Sequence, residues 1–432
     1  MTAVLDHLAA LHRDGSPQGI TSVCSAHPLV LRAALRHARD RGKPVLIEAT
    51  CNQVNHRGGY TGMTPADFAA LVHRIAAEEG CPAGLVLLGG DHLGPNPWRH
   101  LPAEAAMAEA GRMVAAYAGA GFGKIHLDAS MGCAGEPAAL DDLTTARRAA
   151  RLAQVADDAA QAAGAAMPRF VIGTEVPPPG GADHVLDGIV PTSPEAARRT
   201  IAIHREVFSA AGLDDAFGRV LAVVVQPGVE FGNHNVIAYD SATAQPLAAV
   251  LRDAPQLVFE AHSTDYQGVA ALAALVRDGF AILKVGPELT FVLRETLYAL
   301  DLIAAELLPD YGSRRLRDAV EAQMLASPDH WQRHYGGDPA QQRLLRHYSL
   351  SDRVRYYWVQ PAIEAAVAAL VAGLRGRQVP LPLWRQFLPD AADLAAAPLD
   401  PQALLIRRVT ACLAGYDAAC TPKDERMIHH VA

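Results

Sequence analysis

From about residue 19 onward, apolar and polar positions fall into paired blocks. A short run dense in Val, Ile and Leu is followed by a longer stretch with apolar residues every three or four positions. The first pattern suits a strand buried on both faces, the second an amphipathic helix. Ahead of this rhythm, residues 2–13 carry Val4, Leu8 and Leu11 at helical spacing, which predicts a short helix. Strands are then predicted at 19–26 (GITSVCSA), 44–50 (PVLIEAT), 85–88 (LVLL) and 124–130 (KIHLDAS). Four more follow at 170–176 (FVIGTEV), 220–227 (VLAVVVQP), 257–263 (LVFEAHS) and 280–286 (FAILKVG). Helices are predicted over 28–40, from Thr64-Pro65-Ala66-Asp67, over 103–118 and 141–163, from Ser193-Pro194-Glu195, near 242–252, at 267–277 and over 288–308. The second and fifth of the helices that follow strands open with a capping residue and a proline at the first helical position.

Eight strand-then-helix units point to an α/β fold, a (β/α)8 TIM barrel spanning residues 1–310. An open dinucleotide-binding sheet is disfavoured, because no G-x-G-x-x-G follows the first strand. After Asp310 the rhythm stops. Residues 311–432 read as a C-terminal helical extension with loops, one of them at 373–382, and a mobile tail from Thr421.

Composition narrows the function. Half of the 432 residues are hydrophobic and 19% are charged, as in a globular chain, and no apolar run is long enough to cross a bilayer. The net charge of −8 gives no support to nucleic-acid binding. The N-terminus lacks the basic and apolar regions of a signal peptide. Cys24, Cys51, Cys81, Cys133, Cys412 and Cys420 form no C-x-x-C, which predicts free thiols in a cytoplasmic protein.

The candidate chemistry stands where strands end. GGDHLGPNPW places Asp91 beside His92 at the end of the third strand, immediately before a loop. The second strand ends at Glu48, with Asn52 and Gln53 beyond it; the fourth carries His126, Asp128 and Ser130. Glu175, Gln226 with Glu230, Glu260 with His262, and Lys284 end strands five to eight. Catalytic groups of α/β barrels sit at these carboxyl ends, and so many acids, amides and imidazoles exceed what a rim needs. Successive strand residues point to opposite faces, so only one of Asp91 and His92, and one of Glu260 and Ala261, faces inward unless a bulge intervenes. His92 and His262, with Glu175 as a carboxylate and Gln226 as a neutral oxygen donor, suit a divalent metal with one open position. Asn52, Asp128, Ser130, Glu230 and Lys284 are the candidates for substrate contacts. His126, next to apolar Leu127, reads as a core group or one that supports a ligand from behind. The run VPPPGG (176–181) reads as a rigid loop, and His184 and His234 as exposed loop residues.

The blocks TSVCSAHPLV, IEATCNQVNHRGGYTGMTP, GGDHLGPNPW, KIHLDASMGC, IGTEVPPPGG, VQPGVEFG, EAHSTDYQ and LKVGPELTF occur in order. With QQRLLRHYSLSDRVRYYW (341–358), they resemble the GatZ/KbaZ family, the partner subunits of class II D-tagatose-1,6-bisphosphate aldolase. The resemblance covers nearly the whole chain. It implies a barrel distantly similar to class II aldolases, with Asp91 as the acid–base group, Glu175 as the next candidate for that role, and His92 and His262 as metal ligands. Zinc is the expected ion, with manganese, nickel or cobalt as alternatives. Gln226 stands where the aldolases have a histidine ligand, and HSTDYQG replaces a glycine-serine phosphate loop, which weakens the expectation of bisphosphate cleavage.

The resemblance therefore implies a metal-dependent enzyme acting on a ketohexose or ketohexose phosphate of the tagatose/fructose type. Retro-aldol chemistry would serve either C4 epimerisation or tagatose-bisphosphate cleavage. The alternative is a non-catalytic stabilising subunit of a class II aldolase, docking through 311–420, where Tyr356-Tyr357-Trp358 cluster. A homo-oligomer is expected. A kinase is not, because no G-x-x-x-x-G-K-[ST] is present.

Overall fold

The computed structural model describes residues 3–174 and 188–421. Eight parallel strands close into a barrel: β1 (Ile20–Val23), β2 (Val45–Thr50), β3 (Val86–Leu93), β4 (Lys124–Leu127), β5 (Arg169–Ile172), β6 (Val220–Val225), β7 (Val258–Ala261) and β8 (Phe280–Val285). Each strand pairs with its neighbours in sequence, and β8 returns to β1. A two-residue ribbon, Glu230–Phe231 with Val236–Ile237, stands outside this sheet. The barrel predicted from periodicity is therefore the fold.

Local chemistry explains the helix starts. Thr64 accepts from the Asp67 N–H while the Asp67 carboxylate accepts from the Thr64 N–H, a reciprocal cap on Pro65–Glu78. Ser193 caps Pro194–Ala210, and Asp141 caps Asp142–Ala162. The third strand departs from expectation. It does not stop at Gly89-Gly90 but runs through Asp91 and His92, because Glu48, Ala49 and Thr50 of β2 pair with Gly89, Gly90 and Asp91.

The interior is layered by the two-residue period of the strands. At the bottom, Ile20, Leu46, Leu87, Val171, Leu221, Val258 and Ile282 form one apolar cluster, closed from below by Leu5 and Leu8 of the helix Ala3–Arg13. Two positions further along β1, β2, β7 and β8 come Ser22, Glu48, Glu260 and Lys284, all buried. Above them lie Asp91, His126 and His262. The polarity reversal positions the site.

Beyond residue 310 come the helices Arg315–Ala326, Pro339–Tyr348, Pro361–Leu374, Leu381–Phe387 and Pro401–Cys420. The loop expected at 373–382 shrinks to the residues between Leu374 and Leu381. The last helix packs on Pro28–Arg41 and Val269–Arg277, the helices that follow β1 and β7, and its Cys420 carbonyl accepts from the Gly19 N–H at 3.0 Å. The short turn Arg353–Tyr356 is tied to the barrel: Arg294 pairs with Asp352 at 2.6 Å, and the Tyr266 hydroxyl donates to the Leu350 carbonyl at 2.5 Å. Tyr357 and Trp358 are buried within this chain rather than displayed. Among the described residues no helix is long and apolar enough to cross a membrane. Glu175, the whole VPPPGG run, His184 and the tail beyond Thr421 lie outside the described residues.

Candidate active site

A charge-balanced layer forms the floor of the site. Lys124 Nζ lies 2.8 Å from Glu48 Oε1 and 2.6 Å from Glu260 Oε2. Lys284 Nζ lies 2.5 Å from Glu48 Oε2, 3.6 Å from Glu260 Oε1 and 2.6 Å from Asp91 Oδ1. Ser22 Oγ donates to Glu48 Oε2 at 2.5 Å. Burial opposes every one of these charges, yet Lys124 and Lys284 hold the Glu260 carboxyl well below the usual range, and the acids hold Lys284 well above its own. Gly89 is required here, because a Cβ at that position would sit 2.2 Å from Glu48 Oε1.

Above the floor, three imidazoles meet. Ring centroids are 5.1 Å apart for His92 and His126, 4.8 Å for His92 and His262, and 5.2 Å for His126 and His262. His92 has φ 51, and the β3–β4 register shifts between Gly90 and Leu93. This bulge turns both Asp91 and His92 toward the site. On β7 no bulge is needed: Glu260 and His262 share the inner face while Ala261 joins the outer core.

Each imidazole has one nitrogen held by a carboxylate. His92 Nδ1 lies 2.8 Å from Asp128 Oδ2, His126 Nδ1 3.1 Å from Asp91 Oδ1, and His262 Nε2 3.0 Å from Glu260 Oε1. His126 Nε2 is buried and has no hydrogen-bond partner among the described residues. With its proton on Nδ1 and directed at Asp91, that ring presents a lone pair at Nε2. If Nδ1 instead accepts from the His92 N–H, 3.3 Å away, the proton moves to Nε2 and the lone pair is lost. An ion at Nε2 would select the first tautomer. Asp91, His126, Glu260 and His262 bring ligand atoms within 4.8 Å of one another, so the residues present fit a divalent metal.

Burial works against charge on Asp91, but His92, Lys284, His126 and His262 outweigh it and hold its carboxyl well below the usual range. Burial holds His262 down at about 4, neutral at ordinary pH despite Glu260.

The structure brings Asp91, His92, His262, Lys284 and Asn52 to one cavity. Asp128 stands behind His92, and Ser130 Oγ donates to Asp128 Oδ1 at 3.0 Å, so this pair acts through the imidazole rather than on a substrate. Gln226 is not brought in: its Oε1 accepts from the Gly228 and Val229 N–H groups at 2.8 and 3.0 Å, fixing its own loop. Glu230, on the short ribbon, accepts from the Phe231 N–H at 3.0 Å and does not line the cavity. Sequence reasoning passed over Lys124, and Glu260 as a ligand, and placed His126 in support. The alternation Lys124, His126, Asp128 was the signal, since all three fall on one face.

The chain is thus a (β/α)8 barrel with a carboxylate-backed imidazole cluster at the carboxyl ends of its strands, a donor set that a divalent metal would fit. Residues 5–421 match the family described as D-tagatose-1,6-bisphosphate aldolase subunit GatZ/KbaZ-like, and the chain belongs to that family. It is 61% identical over 419 residues to an Agrobacterium fabrum (strain C58 / ATCC 33970) protein named D-tagatose 6-phosphate 4-epimerase, covering 97% of this chain and 99% of that one. A crystal structure from Sinorhizobium meliloti 1021, described as a probable tagatose 6 phosphate kinase, is 54% identical with a TM-score of 0.85. That match covers 93% of this chain and 100% of the other.

Proposed function

We propose that this chain is a divalent-metal-dependent 4-epimerase of a ketohexose 6-phosphate of the tagatose/fructose type. The carrying observation is that each of three converging imidazoles has one nitrogen engaged by a carboxylate, the arrangement that orients metal ligands. The full-length identity to a D-tagatose 6-phosphate 4-epimerase supplies the substrate class. His92, His126 and His262 would hold the ion, which would polarise the substrate ketone as a Lewis acid. Zinc, nickel and cobalt suit three nitrogen donors, while manganese would need the nearby carboxylate oxygens as well.

Asp91 does the proton chemistry. Kept ionised by Lys284 and its histidine neighbours, it takes the proton from the C4 hydroxyl as C3–C4 breaks. The bonding pair passes toward C2 and its oxygen, and C4 becomes an aldehyde. After the aldehyde turns its other face, the C3–C4 bond reforms and Asp91 returns the proton to the C4 oxygen. Configuration at C4 is inverted with no net gain or loss of atoms.

The test is carbon NMR of D-tagatose 6-phosphate with EDTA-treated protein, before and after restoring zinc, manganese, nickel or cobalt. Conversion to D-fructose 6-phosphate only with metal is expected; no conversion with any of them overturns the reading. A second reading rests on the family description, which is that of an aldolase subunit. A chain inert in that assay that raises the activity of a co-expressed class II aldolase would establish it instead.

A further inference from the structure

The barrel mouth holds a cation that no described acid answers. Arg355, in the turn Arg353–Tyr356 of the helical extension, lines the same cavity as Asp91, His92 and His262. Its guanidinium donates to the Ser351 carbonyl, to the Asp352 carbonyl at 3.3 Å and to the Tyr356 hydroxyl at 3.0 Å. Among the described residues no carboxylate lies within ion-pair distance of it, and the nearby Asp352 carboxylate is taken by Arg294 at 2.6 Å. Leaving a guanidinium at a cavity wall without a paired counter-charge is costly, and since its carbonyl and hydroxyl partners are all neutral, its charge is open to an incoming anion.

The place where barrels of this class commonly seat a phosphate is closed. That place is the loops after the last two strands and the helix start they lead to. Here Asp265 Oδ1 accepts from the Gly286 and Glu288 N–H groups at 2.9 and 2.8 Å, so the chain's own carboxyl caps the helix Pro287–Leu307. Burial, with Glu288 beside it, pushes Asp265 up to about 7. An added phosphate at that spot would meet both acids.

We propose that Arg355 is the anchor for the substrate's 6-phosphate, and that the helical extension thereby makes the site specific for phosphorylated ketohexoses. This deepens the epimerase reading and rests on it for the sugar, but not for the anion. C6 lies two carbons beyond C4, so a sugar placed with its C4 hydroxyl at Asp91 extends its phosphate away from the imidazoles along the cavity. Asn52 and Tyr60, which line the same cavity, offer uncharged hydrogen-bonding groups beside the guanidinium. Arg353, whose Nε has no partner, adds positive potential behind it.

Two measurements test this. In the first, inorganic phosphate is titrated calorimetrically into EDTA-treated wild type, Arg355→Lys and Arg355→Met, so that no metal competes for the anion. Wild type should bind phosphate, Arg355→Met at least tenfold more weakly, and Arg355→Lys in between. In the second, kcat/KM is compared for D-tagatose 6-phosphate and unphosphorylated D-tagatose. Arg355→Met should raise KM for the phosphorylated sugar roughly 10²-fold, as expected for a lost charge-assisted fork, and leave kcat/KM for the free sugar within about twofold. A purely structural arginine would lower both sugars equally, which would overturn the proposal, as would phosphate binding that is unchanged in Arg355→Met. If Arg355→Met does not fold, Arg355→Lys decides: an unchanged ratio between the two sugars rejects the anchor. If no sugar turns over in wild type, the epimerase reading fails while the phosphate titration still judges Arg355.

Discussion

Strands β4 and β7 each send two polar side chains into the barrel, one above the other, and the two levels behave differently. The lower level, Lys124 and Glu260 with Glu48 and Lys284, is electrically matched: two cations, two anions, every charge contacted at 3.6 Å or less. The upper level, His126 and His262 with His92 and Asp91, is not closed, since His126 Nε2 has no hydrogen-bond partner among the described residues. Both are buried, so exposure does not distinguish them. What distinguishes them is charge matching rather than hydrogen bonding, since Glu260 Oε2 in the lower level is held by Lys124 as an ion pair with no hydrogen-bond partner among the described residues. A matched buried network specifies the fold, whereas donors oriented by carboxylates and left open are reserved for a ligand.

The largest effect should come from Asp91, which touches both levels through Lys284 at 2.6 Å and His126 at 3.1 Å. Asp91→Asn preserves shape and one acceptor, so turnover should fall roughly 10²–10⁴-fold. Stability should change by no more than about 1–3 kcal/mol. Steady-state kinetics beside urea denaturation would show it. A variant that unfolds would place Asp91 in the lower level, and one that stays fully active would leave Glu175 as the candidate base.

Lys124→Met attacks the lower level alone. It strips both Glu48 and Glu260 of a cation inside a closed interior, and breaking a buried pair in this way costs about 3–5 kcal/mol. Urea midpoints should drop accordingly. A midpoint near wild type would mean that one lysine suffices for two acids, and the matched-charge argument would fail.

Removing imidazoles attacks the upper level alone. The His126→Ala/His262→Ala double variant should fall from about one divalent ion per chain to almost none, read by elemental analysis after purification without chelator. His92→Ala, tested separately, asks whether the ring backed by Asp128 is a third ligand. Equal metal content in wild type and the double variant would remove the metal centre and leave the cluster as an unexplained polar core.

How much of this was legible in the sequence follows from the same geometry. Eight runs rich in branched apolar residues announced the barrel because parallel strands are covered on both faces. Asp91, His92, His262 and Lys284 were legible as polar residues at strand ends. The direction of His92 was not: strict alternation turns it away from Asp91, and only the bulge at φ 51 restores it. His126 reads as a core or supporting group beside apolar Leu127, although the two-residue period puts it between Lys124 and Asp128 on the inner face. Gln226 has the right chemistry at the right strand, but its oxygen is spent on the Gly228 and Val229 N–H groups. Arg355 reaches the mouth from a remote helical segment, and no spacing rule links it to Asp91.

The smallest expected effect sharpens the comparison from outside the barrel interior. His204, in the helix Pro194–Ala210, is fully buried, its Nδ1 lies 2.8 Å from the Thr200 carbonyl and its Nε2 has no partner. Like His126 it is an under-satisfied imidazole, but among the described residues no carboxylate contacts either of its nitrogens. Burial, the leading cause, holds its pKa at about 4, below the unfolded value of 6.5. The sign follows directly: the unfolded chain takes up the proton first as pH falls. Stability is therefore fully present above about 6.5 and is lost progressively down to about 4, at a limiting slope of about 1.4 kcal/mol per pH unit. Asp265, pushed up to about 7, and His262, held at about 4, titrate in the same window, so only the difference between wild type and a His204 variant isolates this imidazole. Between pH 7 and pH 5 wild type should lose roughly 2 kcal/mol through His204 alone. His204→Phe, whatever its stability at pH 7, should lose that much less over the same interval. Identical pH slopes for the two proteins would mean that the buried ring is not held neutral, and that an imidazole inside this fold can stay protonated without a carboxylate behind it.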